Sequence, residues 1–270
     1  MGKENIMKQH VLFWIGVRSE NELLRKKHGD FRYLDISKQS WQYWCEKNDV
    51  LFYEYNTSSE TDTDAHRATW TRWFDVFDQI EEAGIDYDRI AVMDGSTIVK
   101  WNAPNFFNDC GENLTAFRSL ENVKWIYEGV QGYKSMFNDF KFDLTKYIDC
   151  GFQVFTEAHK SFLQELKQFY YDNYDAVMSL QNTVKRGTDQ PVYNYMLQIK
   201  DVKVDMNLSP GLNLNHLNRF DWLSHNWQLK EDGTPFFIKY GYIWKFSGFD
   251  RSQRYDLMKQ TWDIVKENYE

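Results

Sequence analysis

Apolar residues in the first half of the chain fall into short unbroken runs at 10–17, 50–55 and 89–93, separated by stretches of helical spacing. Runs of that length bounded by polar turns read as buried strands, and strands alternating with helices predict an α/β domain with a largely parallel sheet. Between the first two runs, 37–47 is helical, with Ser37 as N-cap and Trp41, Trp44 and Cys45 on one face. The next crossover is clearer. Trp70, Trp73, Phe74, Phe77 and Ile80 recur at spacings of three and four, Asp64 stands where a cap belongs, and Gly84 closes the helix. At about 100° per residue Arg72 lies about 140° from the centre of that stripe, which directs it toward solvent or a neighbouring loop.

In the second half, 113–137 carries a mixed signal and 151–155 reads as a strand. Thr156 is placed to cap a helix whose inner face holds Phe162, Leu163, Leu166, Phe169 and Tyr170. Another helix starts near Thr188, with Pro191 in its first turn and Val192, Tyr195, Met196 and Ile199 at helical spacing. Later strands are expected at 202–206 and 242–246. No internal repeat or Pro/Ser-rich linker interrupts the pattern, so the reading is one domain over 1–270 with a single mixed sheet flanked by helices.

Charge removes one class of function. Lys and Arg number 32 against 40 Asp and Glu, a net −8, and the longest basic cluster is Arg25-Lys26-Lys27, so no surface for a nucleic-acid backbone is expected. The longest strongly apolar stretch, 11–17, is far below the ~20 residues of a transmembrane helix, and no signal-peptide core follows Met1, which reads as a cytoplasmic protein without a membrane span. Cys45, Cys110 and Cys150 lack CxxC spacing and read as reduced thiols.

Candidate chemistry begins where Ile90-Ala91-Val92-Met93 ends abruptly in Asp94-Gly95-Ser96-Thr97. Ligands of open α/β sheets bind beyond the carboxyl ends of strands, so Asp94 stands where a functional acid is expected; a plain Asp-Gly turn would read the same way. Asp189 and Gln190 open a helix, where they could bind sugar hydroxyls or serve as its cap. Lys245, between Trp244 and Phe246, could neutralise phosphate oxygens or be an exposed lysine at a strand end. His66 lies on an apolar helix face, a setting typical of a hydrogen-bonded core histidine. The stretch 211–222 mixes amides with aromatics, as carbohydrate subsites do and as irregular loops also can.

Four blocks in order resemble GT-A-fold glycosyltransferases, most nearly the retaining family 8 type that includes glycogenin-like and lipopolysaccharide galactosyltransferase-like enzymes. Asp86–Ser96 resembles the strand leading into that family's DxD motif, and Tyr147–Phe155 its Asn-Ala-Gly strand. Thr188–Asn194 is similar to its Asp-Gln helix start, and Ile243–Gly248 to its terminal His-Phe-x-Gly block. The resemblance implies a nucleotide-binding half at about 8–110 and an acceptor-binding half at about 111–270. It implies donor contacts from Asp94, Gly95, Ser96, Lys245 and Gly248, and from Arg67 in preference to Arg72. Asp189 and Gln190 would form the catalytic sugar site, with Asp149, Gly151, Asn213, Asn215 and His216 on the acceptor side.

Two departures concern one piece of chemistry. The family's Mn²⁺ or Mg²⁺ is held by both acids of DxD and the final His, because a hard cation wants carboxylates and bridges the donor diphosphate. Here those positions are Asp94, Ser96 and Lys245, which leaves the cation one carried-over ligand, Asp94. Asp149 likewise replaces an Asn. The activity implied is transfer of a sugar from a nucleotide sugar, a UDP-sugar by resemblance, to a carbohydrate or glycolipid acceptor. The alternative is a non-catalytic nucleotide- or sugar-binding protein derived from such an enzyme.

Overall fold

The structure is a computed structural model that describes residues 8–18, 31–57, 66–209, 211–212 and 234–270. In chain order its main elements are β1 (Gln9–Ile15), α1 (Tyr33–Lys47), β2 (Leu51–Tyr55), α2 (Ala68–Glu82), β3 (Tyr87–Asp94), β4 (Thr97–Val99) and β5 (Leu114–Arg118). Then follow α3 (Val123–Tyr133), β6 (Ile148–Phe155), α4 (Lys160–Asp172), α5 (Tyr174–Val184), α6 (Gln190–Ile199), β7 (Val204–Asp205), α7 (Phe236–Tyr240), β8 (Ile243–Lys245) and α8 (Arg251–Val265). The main strands are mixed and mostly parallel, and helices flank them, as the sequence pattern predicts. The chain divides into two compact units: Met1–Thr57, Ile80–Asn108 and Ser209–Glu270 form the first, Ser58–Gln79 and Asp109–Leu208 the second.

The first unit is organised by β1. Its residues Val11, Leu12, Phe13 and Trp14 are all fully buried, the mark of a strand covered on both faces. It pairs in parallel with β2 and β3, so that Ile15 faces Tyr55 on one side and Asp94 on the other. Helix α1 covers it with Leu34, Trp41, Trp44 and Cys45. That helix starts earlier than expected, and Ser37 is not its cap. The hydroxyl of Ser37 lies inside the helix and accepts a 2.9 Å bond from Trp14 Nε1, a buried indole N–H that needs an acceptor. The short strands β4 and β8 pair antiparallel, with Thr97 opposite Lys245.

In the second unit β6 is buried along its whole length and pairs antiparallel with β5, which in turn pairs parallel with β7. The mixed segment 113–137 resolves into β5 and α3, and Asn122 caps the latter through a 2.8 Å bond from Trp125 N. Thr156 does open the next helical stretch, in a reciprocal box with His159 that gives this histidine a partner unseen in the sequence. Helix α5 was not anticipated; Asn173 breaks the chain's helical run just before it, donating from its side chain to Phe169 O at 2.9 Å. Ile199 is 39% exposed rather than inward, because it is the last residue of α6.

Helix α2 forms where its aromatic spacing predicts, and Gly84 closes it at φ +69°, a left-handed turn suited to glycine. Asp64 lies outside the described residues. Along the helix, Trp73 and Phe77 meet Phe155 of β6, Phe74 meets Tyr170 and Tyr171 of α4, and Trp70 Nε1 donates to Gln181 of α5 at 3.2 Å. Partners therefore stand on more than one side. Thr71, Arg72 and Asp75 are buried along with the apolar stripe, and the expectation of an outward Arg72 is corrected: the face opposite the stripe is covered by protein.

Phe74, only 5% exposed, is expected to lower the unfolding free energy by about 3–5 kcal/mol when truncated to Ala, the range for a large core ring. A urea titration with unchanged m-value measures it; a loss below about 1 kcal/mol would mean the ring is not core.

Candidate functional site

In the first unit, β3 ends at half-buried Asp94 and turns at once into β4. Thr97 Oγ1 donates to the Asp94 carbonyl at 2.6 Å and accepts from Trp41 Nε1 at 2.9 Å, which locks the turn to α1. Glycine at 95 is demanded by contact: a Cβ there would sit 2.1 Å from Ile15 O and 2.6 Å from Leu34 Cδ2. The turn is thus pressed onto the end of β1. Phe246 N donates to Ser96 O at 2.8 Å, which joins the turn to the end of β8.

Lys245 is 5% exposed, so it is not a surface lysine. A buried ammonium persists only among acceptors or anions, because removing its water is costly. Two further cations stand next to the β4–β8 pair. Lys100, also buried, donates to Lys239 O at 3.0 Å and lies 5.2 Å from the Trp101 ring centroid. Burial holds its pKa below the ordinary lysine value, and the nearby Lys239 charge adds to that. Arg254 of α8 donates to Phe246 O at 3.2 Å. Gly248, at φ +83°, turns the chain toward the Asp250 cap of that helix. Asp94, Gly95 and Ser96 therefore adjoin the end of β8 at Lys245 and Phe246.

The donor set around Asp94 does not fit a hard divalent cation. One carboxylate, a hydroxyl and an ammonium offer too little negative charge. Among the described residues, no group of three or more His, Cys, Asp or Glu could hold a metal ion.

The second unit brings Asp189, Gln190, Asp149 and Gly151 together on α6 and β6. Asp189 precedes α6 but does not cap it with its side chain. The carboxylate turns inward, 4% exposed, where Oδ2 accepts from Arg72 Nη2 at 3.0 Å and from Trp73 Nε1 at 2.7 Å. Arg72 also donates to Cys150 O at 2.8 Å, and its guanidinium lies 4.3 Å from the Trp73 ring centroid. Burial drives the Asp189 carboxyl above the ordinary aspartate range, while Arg72 and the indole N–H pull it back. Tyr133, Tyr147 and Tyr193 are buried nearby, their hydroxyl pKa values raised by burial first and further by the Asp189 charge.

Gln190 Oε1 accepts from Cys150 N at 3.4 Å, and Asn194, one turn on, bonds Ile148 N and Ile148 O at 2.8 and 3.0 Å. Two amide side chains thereby take the place of a strand along the start of β6. Asp149 Oδ1 accepts from Gly151 N at 2.6 Å. Arg67 is half-buried one residue before α2; His66 is hydrogen-bonded, its Nδ1 3.0 Å from Tyr170 OH, but it precedes the helix and is half-buried rather than on the apolar face expected. Asn213, Asn215 and His216 lie outside the described residues. The sequence directs Arg72 outward and reads Trp73 as core and Asn194 only as part of a family block, so their place around Asp189 and β6 is not anticipated. The available signal was the segment Trp70-Thr71-Arg72-Trp73-Phe74, an arginine hemmed by aromatics on a helix with little polar surface.

No family model matches the chain, and no curated protein matches it in sequence. Among solved structures it is similar to a glycosyltransferase involved in glycosylation of the major capsid of PBCV-1, at 12% identity over 93% of this chain and 99% of that one, with a TM-score of 0.51. It is also similar to the galactosyltransferase LgtC solved with donor and acceptor sugar analogs, at 11% identity over 95% of this chain and all of that one, TM-score 0.40. The glycosyltransferase GlyE of Streptococcus pneumoniae TIGR4 aligns at 12% identity with 97% of this chain and 63% of its own, TM-score 0.37. At these identities the likeness is one of fold. The fold is GT-A.

Two substitutions test the local construction. Gly95→Ala puts a methyl against a backbone carbonyl and is expected to destabilise by about 1–3 kcal/mol, as overpacking does. Arg72→Met leaves the Asp189 charge buried without its partner and is expected to cost about 3–5 kcal/mol, much of it recovered in the Arg72→Met/Asp189→Asn double variant. Denaturant unfolding of the set measures both; equal losses in the single and double variants would mean that the two charges do not act as a pair.

Proposed function

We propose that the chain is a glycosyltransferase that moves a sugar from a nucleotide sugar, a UDP-sugar on the family resemblance, to a hydroxyl of a carbohydrate or glycolipid. The observation that carries this reading is the buried Lys245 held against the Asp94-Gly95-Ser96 turn at the carboxyl end of a parallel strand. The PBCV-1 protein of like fold is a glycosyltransferase, which supports it.

In this reading the acceptor oxygen bonds to the anomeric carbon as the bond from that carbon to the diphosphate oxygen breaks, and the acceptor's hydroxyl proton passes to the departing diphosphate. Positive charge gathers on the sugar and negative charge on the leaving diphosphate. Lys245, and not a metal, offsets the leaving charge, since the donor set does not suit a divalent cation. Asp94, Gly95, Ser96, Arg67 and Gly248 hold the nucleotide diphosphate. Asp189 and Gln190 shape the sugar site, with Arg72 as the positioning residue that fixes Asp189. Asp149, Gly151, Asn213, Asn215 and His216 serve the acceptor, and the family resemblance makes the transfer a retaining one.

A second reading, a non-catalytic nucleotide- or sugar-binding protein, draws on one observation: Asp189 Oδ2 is already engaged by Arg72 and Trp73. Donor hydrolysis separates the two. An enzyme releases free nucleotide slowly from a nucleotide sugar, whereas a binder gains thermal stability without turnover.

Removing the Lys245 charge as Lys245→Met, which keeps the apolar stem, is expected to weaken nucleotide-sugar binding by about 1.5–3 kcal/mol, the range for hydrogen bonds to charged groups. Wild-type affinity by calorimetry is expected to be the same in EDTA and in millimolar Mn²⁺. Binding that vanishes in EDTA would sink the metal-free reading, and a variant that binds as tightly as wild type would remove Lys245 from the donor site.

A further inference from the structure

The second unit carries a pair of adjoining cavities that the proposed transfer site does not use. One, of about 340 Å³, is lined by Tyr127, Gln131, Lys134, Asp139, Phe140 and Tyr195 among others. The second, of about 500 Å³, includes Phe140 again, with Asn138, Glu165, Gln168, Ile199 and Lys200. Both volumes fall within the ordinary range for small-molecule sites, about 300–1,000 Å³. Phe140 lines both, so the two cavities adjoin across this ring.

The groove's base is a stack of rings. Phe137 lies parallel to Tyr195 at 4.2 Å between centroids and to Phe169 at 5.2 Å, and Phe142 meets Tyr195 edge-on at 4.8 Å. Tyr195 OH is committed to Val130 O at 2.8 Å, which fixes the ring. Beside this rigid base Tyr127 is 50% exposed and Phe140 half-buried, so aromatic surface is left facing the opening. The rim is polar and already organised. Lys134 pairs with Asp139 at 3.5 Å in one bay, Lys200 pairs with Glu165 in the other, and the carboxamides of Gln131, Asn138 and Gln168 stand between. Asn138 and Asp139 are consecutive left-handed residues, at φ 50° and 57°, a strained pair that sets the wall from which Phe140 enters.

We infer that this groove binds an oligosaccharide. An acyl chain needs a slot without charges, and two ion pairs edge this one. A sugar ring carries an apolar face and a belt of hydroxyls, which match an aromatic surface edged by carboxamides and by half-exposed ion pairs. Such ion pairs are weak in water, so hydroxyls can take up their spare donors and acceptors at little cost. The same helix, α6, starts at Gln190 and reaches the groove at Tyr195 and Ile199; at 1.5 Å per residue these lie about 8 and 14 Å along it. A glycan in the groove is thus held beyond the reach of one sugar ring from Gln190. The inference stands on the second unit's own residues and goes beyond the transfer reading.

The test uses the full chain, fluorescently labelled, on an array of immobilised oligosaccharides, with calorimetry on any oligosaccharide bound. Wild type is expected to bind, Tyr127→Ala and Phe140→Ala each to bind about tenfold more weakly, and Tyr240→Ala, an exposed ring in the first unit, to bind as wild type does. Tyr127 is exposed enough that its truncation leaves the fold intact, so it decides the matter even where Phe140→Ala does not fold. An array that captures no wild-type protein, or unchanged affinity in Tyr127→Ala, overturns the groove. Donor hydrolysis by wild type is read in parallel: its absence counts against the transfer reading alone.

Discussion

Inside the second unit a guanidinium and a carboxylate, 3% and 4% exposed, have to satisfy one another, because neither can be left charged and alone in a medium that solvates it poorly. Arg72 and Asp189 do so at 3.0 Å, and their remaining hydrogen bonds run to Cys150 O and from Trp73 Nε1. Three elements, α2, β6 and the start of α6, are thereby tied through two side chains. A pair of this kind contributes little net stability over an apolar substitute, since desolvation offsets most of the attraction. What it does contribute is discrimination. A shifted register of α2 against β6 would leave a buried charge unmatched, at a cost several times that of an ordinary misfit. The neighbouring details follow from it: Asp189 cannot cap α6 while engaged with Arg72, and Pro191, which lacks an N–H, reduces the need for that cap.

The first unit meets a different constraint with different means. Its turn after β3 is held by close approach and by hydrogen bonds from a side-chain hydroxyl and from the backbone. Gly95 permits the contact with Ile15 O, Thr97 closes the turn on Asp94 O, and Phe246 N fastens it to β8. A frame fixed by close packing and hydrogen bonds suits a positioned ligand site, since precision then comes from atoms that do not themselves bind.

Most of the strands and the aromatic helix were legible because hydrophobic period is a local property: β1 needs only Val11 to Trp14 in sequence to be read as buried on both faces. Asp94 at a strand's carboxyl end was legible for the same reason. Arg72 was not. Helical geometry does rotate it away from the stripe, but burial of the far side of α2 depends on α4, α5 and β6, elements about 75 and more residues away that no helical wheel contains. Ser37 failed similarly, since a serine that favours caps is equally at home inside a helix when a buried indole such as Trp14 needs an acceptor. Lys245 lay between two aromatics, and that hint against an exposed lysine was sound, while the depth of its burial came from its pairing with β4.

The net charge of −8 and the proposed anionic donor set two effects against each other. Surface carboxylates repel a diphosphate, but at physiological ionic strength their field decays over about 8 Å, so charges spread around the chain act on it weakly. A lysine in a poorly solvated site acts at contact: at about 4 Å and an effective dielectric near 20 the attraction is about 4 kcal/mol per unit charge. The local term wins wherever the donor lies against Lys245. On the family resemblance Ser96 stands where a metal-binding acid would and Lys245 where a neutral imidazole would, which makes the bare site two units more positive than that pattern. In the proposed function that difference is what would let the site hold a diphosphate without a cation in a chain of net negative charge.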